Sequence, residues 1–370
     1  MKIVFIGGRD IHMLGGIESY MLNLATQLVH MGHEPIVFCE SDHDGEEQVN
    51  GFRVIHQKGF RSNLICKPWL GLKATIGTIR HIGGVDMIHY NAWPPSLWSP
   101  LARLFGVRSL MQGHGLEWQR SKYSPMQQRV MRFMEWFTAH LNRNLIMCSN
   151  DQCVYFREHY GREAVTIPTA IYLPDAEAGE GSDVLERFGI RRGKYFLFLA
   201  RLVQDKNPDY LIKAFQRVKG DGYQLVIAGN NVSDPAYVRR LHELADGNDD
   251  IIFTDAVYGR DKEALLKHAF MFCIPSTIEG LSISLLEAMS YRLPVLASDI
   301  AANREVLERD KAVWVRPESV DDLVEAFRAT MKAPVGEAVT DYNYRKVAEN
   351  YTWQRVAERY VAHLRKLTGK

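Results

Sequence analysis

Two series of short apolar runs, each alternating with amphipathic segments, constrain this chain more than any other feature. In the first series Ile3–Ile6, Pro35–Cys39, Phe52–His56, Met87–Tyr90, Ser109–Gln112, Leu145–Cys148 and Ala164–Ile167 have the length and apolar content of buried strands. A helix from Ile17 to about Met31 follows a Gly15-Gly16 turn after the first of them. The alternation stops after Pro168, and residues 173–193 are acidic and small, which reads as a linker with one short helix. A second series then runs through Tyr195–Leu199, Gln224–Ile227, Ile251–Thr254, Phe270–Ile274, Val295–Ala297 and Ala312–Val315. Strand–helix alternation implies an α/β chain with parallel sheets covered by helices on both faces. The expected layout is an N-terminal Rossmann-like domain over 1–172, the linker 173–193, a C-terminal Rossmann-like domain over 194–345, and a tail over 346–370. An amphipathic helix from about Trp353 to Leu367 is expected to pack back on the first domain.

The composition agrees with two cores. The chain has 370 residues, 46% of them apolar and 24% charged, as in ordinary globular domains. No run approaches the roughly 18 apolar residues of a membrane span. The opening Lys2-Ile3-Val4-Phe5-Ile6-Gly7-Gly8 is too short for a signal-peptide core and reads as a strand. Five cysteines without a C-x-x-C pair point to reduced core thiols and a cytoplasmic setting. Net charge is only +1, yet Gln48 to Arg143 holds 13 Lys and Arg against Asp86, Glu117 and Glu135. Within Met126–Leu141 one helical face carries Met126, Val130, Met134, Phe137 and Leu141, and the other Arg129, Arg132, Trp136 and His140. This fits a core helix with a solvated basic face, or a face that meets anionic lipid or a lipid-diphosphate acceptor. No nucleic-acid partner is expected.

Candidate chemistry gathers where strands end. After the run Phe270–Ile274, Glu279 stands at a strand's carboxyl end, Gly280 makes the turn, and Ser282 is a helix N-cap ahead of the stripe Leu285, Leu286, Met289. Glu287 follows in that helix, eight residues after Glu279. Ligands of open α/β sheets bind at this edge, and a helix N-terminus suits phosphate. Strand Tyr195–Leu199 likewise ends in Arg201 and Lys206, an Arg fork and a compact ammonium suited to a diphosphate. Gly15 and Gly16 let a backbone approach a ligand closely before a helix, although an ordinary turn explains them as well, and no G-x-G-x-x-G fingerprint is present. His114 lies between two glycines past a strand, which favours an exposed position. Loops after the second-domain strands, with Gly229, Asn230, Val257 and Tyr258, are where a nucleotide base would be read.

The stretch Glu279-Gly280-Leu281-Ser282-Ile283-Ser284-Leu285-Leu286-Glu287-Ala288-Met289 resembles the E-x7-E signature of the retaining glycosyltransferases of family 4, written EG-x-G-L-x-x-LEAM. The family's second glycine is here Leu281 or Ser282. The segment Ala200-Arg201-Leu202…Lys206-Asn207 is similar to the family's G-R-L…K-G motif, with Ala200 and Asn207 in place of glycines. The resemblance implies the GT-B fold, two Rossmann-like domains facing across a cleft. It implies a hexosyl transfer from a nucleotide diphosphate sugar to a glycan or lipid-linked acceptor in surface-polysaccharide or lipopolysaccharide synthesis, at the inner face of the cell membrane.

Carried onto this sequence, the family pattern puts Arg201 and Lys206 on the donor diphosphate and the amides of Gly15 and Gly16 on its phosphates. His114 falls near the transferred sugar, Glu287 on the ribose hydroxyls, and Glu279 on the sugar or nearby main chain, with Gly280, Leu281 and Ser282 beside the donor. The run His114 to Tyr123 is similar to a rhamnosyltransferase subgroup. No cofactor or metal is expected: the cations and loop amides meet the phosphates, and neither an aspartate pair of D-x-D type nor a His/Cys cluster of the usual zinc spacing is expected. A nucleotide-sugar epimerase, a soluble sugar-phosphate synthase, and a non-catalytic nucleotide-sugar-binding regulator are the competing readings of the same fold.

Overall fold

A computed structural model describes residues 1–13, 15–60, 65–119, 123–218 and 222–370. The chain forms two compact units, Met1–Ala170 with Trp353–Lys370, and Ile171–Thr352.

In the first unit the described strands are β1 (Lys2–Ile6), β2 (Glu34–Ser41), β3 (Gly45–Val49), β4 (Phe52–Lys58), β5 (Met87–Asn91), β6 (Ser109–Gly113), β7 (Leu145–Met147) and β8 (Val165–Thr166). They form one sheet in the order β3-β4-β2-β1-β5-β6-β7-β8. All neighbours are parallel except β3, which pairs antiparallel with β4. Asn50 and Gly51 make that hairpin possible, with φ of 48° and 85°. Two positive-φ residues suit a tight turn whose twist matches the strands.

The first unit's core packs Phe5, Val37 and Val54 of the sheet against Tyr20, Met21 and Leu24 of the helix Gly16–His30. The same core takes Trp353, Val356, Tyr360 and Leu364 from the last helix, Trp353–Thr368. Buried Tyr360 meets buried His89 Nδ1 through its hydroxyl at 2.8 Å, so this helix is joined to β5 by a polar contact as well as by packing.

The second unit holds β9 (Tyr195–Leu199), β10 (Gln224–Ala228), β11 (Ile251–Asp255), β12 (Met271–Ile274), β13 (Val295–Ser298) and β14 (Val313–Val315), all parallel, in the order β11-β10-β9-β12-β13-β14. Successive side chains of a strand point to opposite faces. Accordingly Phe196 and Phe198 of β9 enter one core with Phe215 and Phe327, while Tyr195 and Leu197 enter another with Phe272, Leu286 and Met289.

Three expectations need correction. The stretch read as a linker, 173–193, packs into the second unit: Ala178, Val184 and Ile190 are buried, Gly179 N donates to Glu263 Oε2 at 3.0 Å, and Ser182 Oγ donates to Asp261 Oδ1 at 2.7 Å. Its acids pair within that unit, Asp183 with Arg187 at 2.9 Å for one. The second unit also runs to Thr352, past the expected boundary at 345, because the helix Glu337–Asn350 buries Thr340, Asn343 and Val347 there.

The third correction concerns the helix Pro125–Leu141. Ser124 and Gln127 close a capping box at its start, and Pro125 sits where its missing N–H costs nothing. Its buried residues are Met131, Glu135, Thr138 and Ala139. Met126, Val130 and Phe137, which the core-helix alternative would bury, are exposed, beside Phe133, Trp136, Arg129, Arg132 and His140. Glu135 is buried because it accepts from Trp118 Nε1 at 3.2 Å and from the Tyr160 hydroxyl at 2.8 Å, an arrangement that fixes the helix rotation. Burial and the Glu135 carboxylate push the Tyr160 phenol far up.

Candidate active site

Strand order reverses in each unit, between β1 and β5 in the first and between β9 and β12 in the second. At such a point the loops from adjacent strands turn to opposite faces and leave a crevice at the carboxyl edge. In the second unit the loop after β9 carries Arg201 and Lys206, and the loop after β12 carries Glu279.

These two loops are tied together. Asn207, in the left-handed region at φ 54°, donates through Nδ2 to Pro275 O at 3.0 Å. Thr277 donates to Asp205 O through its N at 3.0 Å and its hydroxyl at 3.3 Å. Across this seam Lys206 Nζ is bonded to Glu279 Oε1, and the same oxygen accepts from Ser276 Oγ at 2.8 Å. The pair is well shielded, with side chains 19% and 6% exposed. Arg201 is exposed at the rim of the same loop. An ammonium has three donors, of which Glu279 takes one.

Ser282 is the N-cap of the helix Ile283–Ser290, accepting from Leu285 N at 3.4 Å. Gly280 and Leu281 lie in the loop before it, Leu281 partly packed on the core. Glu287, one turn further, pairs with Lys262 Nζ at 2.6 Å. Lys262 was missed by sequence reasoning: it sits on the neighbouring helix Gly259–His268, and local spacing carries no signal for a partner 25 residues away.

The loops after β10 and β11 divide. Gly229 is required by backbone packing, since a Cβ there would stand 1.9 Å from Ala200 O. Asn230 Nδ2 donates to Asp255 Oδ1 at 3.2 Å. Val257 is buried in the core, so its side chain cannot face a nucleotide. Tyr258 is exposed and caps the helix Gly259–His268.

In the first unit Gly15 is the N-cap of the helix Gly16–His30, and the position a Cβ would take lies 2.0 Å from Glu18 Oε2. Glu18 is buried and accepts from Arg9 N at 2.8 Å, so a carboxylate of the chain itself stands at this helix start. His114 is half-buried rather than exposed. Its Nε2 donates to Asn91 Oδ1 at 3.2 Å, and its Nδ1 faces Cys148 Sγ at 3.5 Å. Burial, helped by the Lys67 charge, pulls its pKa down to about 4, so the imidazole is neutral at pH 7. In the run His114–Tyr123, residues Arg120, Ser121 and Lys122 lie outside the described residues.

One D-x-D pair does occur in the sequence, Asp42-His43-Asp44, in the turn between β2 and β3. Asp44 Oδ1 accepts from Lys58 N at 2.9 Å and from Lys73 Nζ at 3.3 Å, and Asp42 pairs with His43 at 2.6 Å. These acids are engaged by His43, Lys73 and a backbone amide.

Two doubly wound units whose ligand edges lie at strand-order reversals define the GT-B class of fold. The model for glycosyltransferase family 4 matches residues 14–173, and that for glycosyl transferases group 1 matches residues 186–351. The chain belongs to the GT-B glycosyltransferases. It is 28% identical to an uncharacterized glycosyltransferase of Methanocaldococcus jannaschii, covering 94% of both chains. It is 24% identical to the alpha-maltose-1-phosphate synthase of Mycolicibacterium smegmatis over 80% of this chain and 83% of that one. Among solved structures, sucrose-phosphate synthase from Thermosynechococcus elongatus superposes with a TM-score of 0.85 at 19% identity, covering 100% of this chain and 99% of that one. HepE of Anabaena, in complex with UDP-glucose, gives 0.79 at 15%, covering 99% and 100%.

Proposed function

We propose that the chain is a retaining hexosyltransferase that moves a sugar from a nucleotide diphosphate sugar to a glycan or lipid-linked acceptor in surface-polysaccharide or lipopolysaccharide synthesis, without a metal. The observation that carries this reading is the placement of Arg201 and Lys206 at the β9–β12 crevice, with Lys206 held there by Glu279 and Ser276. In the reaction the bond between the anomeric carbon and the phosphate oxygen breaks as an acceptor hydroxyl attacks the same face. The hydroxyl proton passes to the leaving phosphate. Charge accumulates on that phosphate, and fixed cations stabilise it most where it is greatest, at the transition state.

Glu279 then acts chiefly by positioning Lys206, a revision of its expected contact with the sugar. Glu287, braced by Lys262, takes the ribose hydroxyls, and exposed Tyr258 offers a ring for the base. His114, neutral at pH 7, serves as a hydrogen-bonding group and not as a cation. The UDP-glucose bound by the HepE structure makes UDP-glucose the first donor to try.

The acceptor side rests on the helix Pro125–Leu141. Exposed Met126, Val130, Phe133 and Trp136 beside Arg129 and Arg132 suit insertion at an anionic lipid surface, the apolar side chains entering and the guanidiniums meeting phosphate. Among the described residues no helix is long and apolar enough to cross a membrane.

A panel of nucleotide sugars with bacterial lipid extract or with sugar phosphates as acceptor tests the proposal. Donor-dependent glycosylation of lipid, with the anomeric configuration kept by NMR, supports it. Transfer to sugar phosphates alone establishes the synthase reading, which the likeness to maltose-1-phosphate synthase favours. Donor binding without transfer to any acceptor contradicts both.

A further inference from the structure

We propose that His12, Glu47 and His56 form a site for one divalent transition-metal ion, zinc above all, at the carboxyl edge of the first unit's sheet. The register assembles it. In the β3–β4 hairpin Glu47 stands opposite Val54, so Glu47 and His56, two residues on, share a face as diagonal neighbours. Cys39 of β2 lies opposite His56 on its other side. The loop after β1 brings His12 over this face. Glu47 Oε1 is 2.7 Å from His12 Nε2 and 2.8 Å from His56 Nε2, and the three candidate ligand atoms all lie within 4.8 Å of one another.

Two imidazoles and a carboxylate are a ligand set that zinc accepts, with a fourth position left for water or another ligand. Ligand atoms around a tetrahedral zinc stand about 3.3 Å apart, so Glu47 needs to withdraw by about half an ångström. Exposed His12 can follow by rotating its side chain. The surroundings support metal binding rather than a simple hydrogen-bonded triad. His56 is buried, and its Nδ1 faces Asp10 Oδ2 at 3.9 Å and Cys39 Sγ at 3.5 Å. A metal on Nε2 requires the proton on Nδ1, and Asp10 is the acceptor that would hold it there, the arrangement that orients ligating histidines elsewhere. Asp10 is itself held, accepting from Ser41 Oγ at 3.2 Å and, through its other oxygen, from His12 N at 3.0 Å. The His43 ring stacks over His56 with centroids 5.3 Å apart and limits its rotation.

The consequence is a crosslink. The loop that leads to Gly15 and Gly16 would be fastened by His12 to the β3–β4 hairpin. The glycine loop would then be ordered by metal, with no part for the ion in sugar transfer. This goes beyond the proposed activity, and its test is a binding measurement independent of donor turnover.

Chelator-stripped full-length protein is titrated with zinc chloride in a calorimeter at pH 7.5, and cobalt substitution is followed by visible absorption. The expected result is one ion per chain, with His12→Ala and Glu47→Gln each weakening binding at least tenfold, and cobalt bands of a four- or five-coordinate centre that His12→Ala abolishes. His12 is exposed, so this variant keeps the fold, and its unchanged circular dichroism confirms that. No saturable binding, or several weak ions per chain with affinities unaltered in His12→Ala, overturns the proposal.

Discussion

Lys206 and Glu279 form a shielded ion pair on which both the stability of the loops and the proposed chemistry depend in this account. Removing one member of a shielded pair leaves a charge without its partner, at a cost of about 3–5 kcal/mol, whereas replacing both with apolar groups costs far less. Glu279→Ala is therefore expected to lower the second unit's unfolding free energy by an amount that Lys206→Met in the same chain largely restores, measured by urea titration. If Glu279→Ala alone leaves stability within about 0.5 kcal/mol of wild type, the pair does not exist in solution. Activity lost in Glu279 variants must be read against this. Glu287→Gln, by contrast, is expected to weaken donor binding about tenfold through a lost charge-assisted bond, with smaller effect on turnover; calorimetry and initial rates separate the two.

His114 makes a pH prediction of definite sign. Its folded pKa, about 4, lies below the unfolded value near 6.5, so the unfolded chain binds the extra proton. Stability contributed by its burial is present above pH 6.5 and is lost as pH falls from 6.5 towards 4, by about 3 kcal/mol at most. Buried His89 is shifted in the same direction by burial first and His114 second, and adds to the slope. His114→Phe should flatten the fall in urea midpoint over that window; an unchanged slope contradicts the assignment. These two histidines were poorly legible in the sequence. Flanking glycines suggested exposure for His114, but the Asn91 contact that holds it comes from a neighbouring strand 23 residues away.

Among the elements, strands with unbroken apolar runs were legible because buried parallel strands need no alternation. β3 was missed: Gly45–Val49 is polar, half-exposed and at a sheet edge, and the Asn50-Gly51 turn was the signal that could have found it. In the helix Pro125–Leu141 the basic face is solvated as read, but Met126, Val130 and Phe137 of the apolar face are exposed too, because the buried stripe is Met131, Glu135, Thr138 and Ala139. Hydrophobicity alone cannot report a buried carboxylate satisfied by Trp118 and Tyr160. The exposed face leads to a prediction: Phe133→Ser with Trp136→Ser should abolish sedimentation with anionic vesicles at low salt while leaving the melting temperature nearly unchanged. Binding to neutral and anionic vesicles alike would remove the role given to Arg129 and Arg132. The last helix, Trp353–Thr368, supplies four large core side chains, each worth about 2–5 kcal/mol on truncation, which together are comparable to a domain's whole stability of about 5–15 kcal/mol. A chain ending at Thr352 should lose hydrogen-exchange protection across β1–β8 while β9–β14 stay protected; protection retained in both units contradicts this.

For the molecule as a whole, the double strand–helix series made the two-sheet architecture legible, since each apolar run became a strand of one of the two sheets. The second unit's start was not, because an acidic surface over 173–193 conceals Val184 and Ile190 beneath it. Nor was the cluster of His12, Glu47 and His56, which three separate segments bring together. The roles proposed for Arg201 and Lys206 rest on their place beside β12, and they bear the weight of the functional account. Calorimetric titration of UDP and UDP-glucose, in buffer containing EDTA, into wild type and Arg201→Ala tests that account most directly. The account predicts one nucleotide bound per chain without metal, weakened at least tenfold in Arg201→Ala, about 1.4 kcal/mol, with the melting temperature scarcely changed. Equal affinity in the two proteins, or binding that appears only when magnesium is restored, would contradict it.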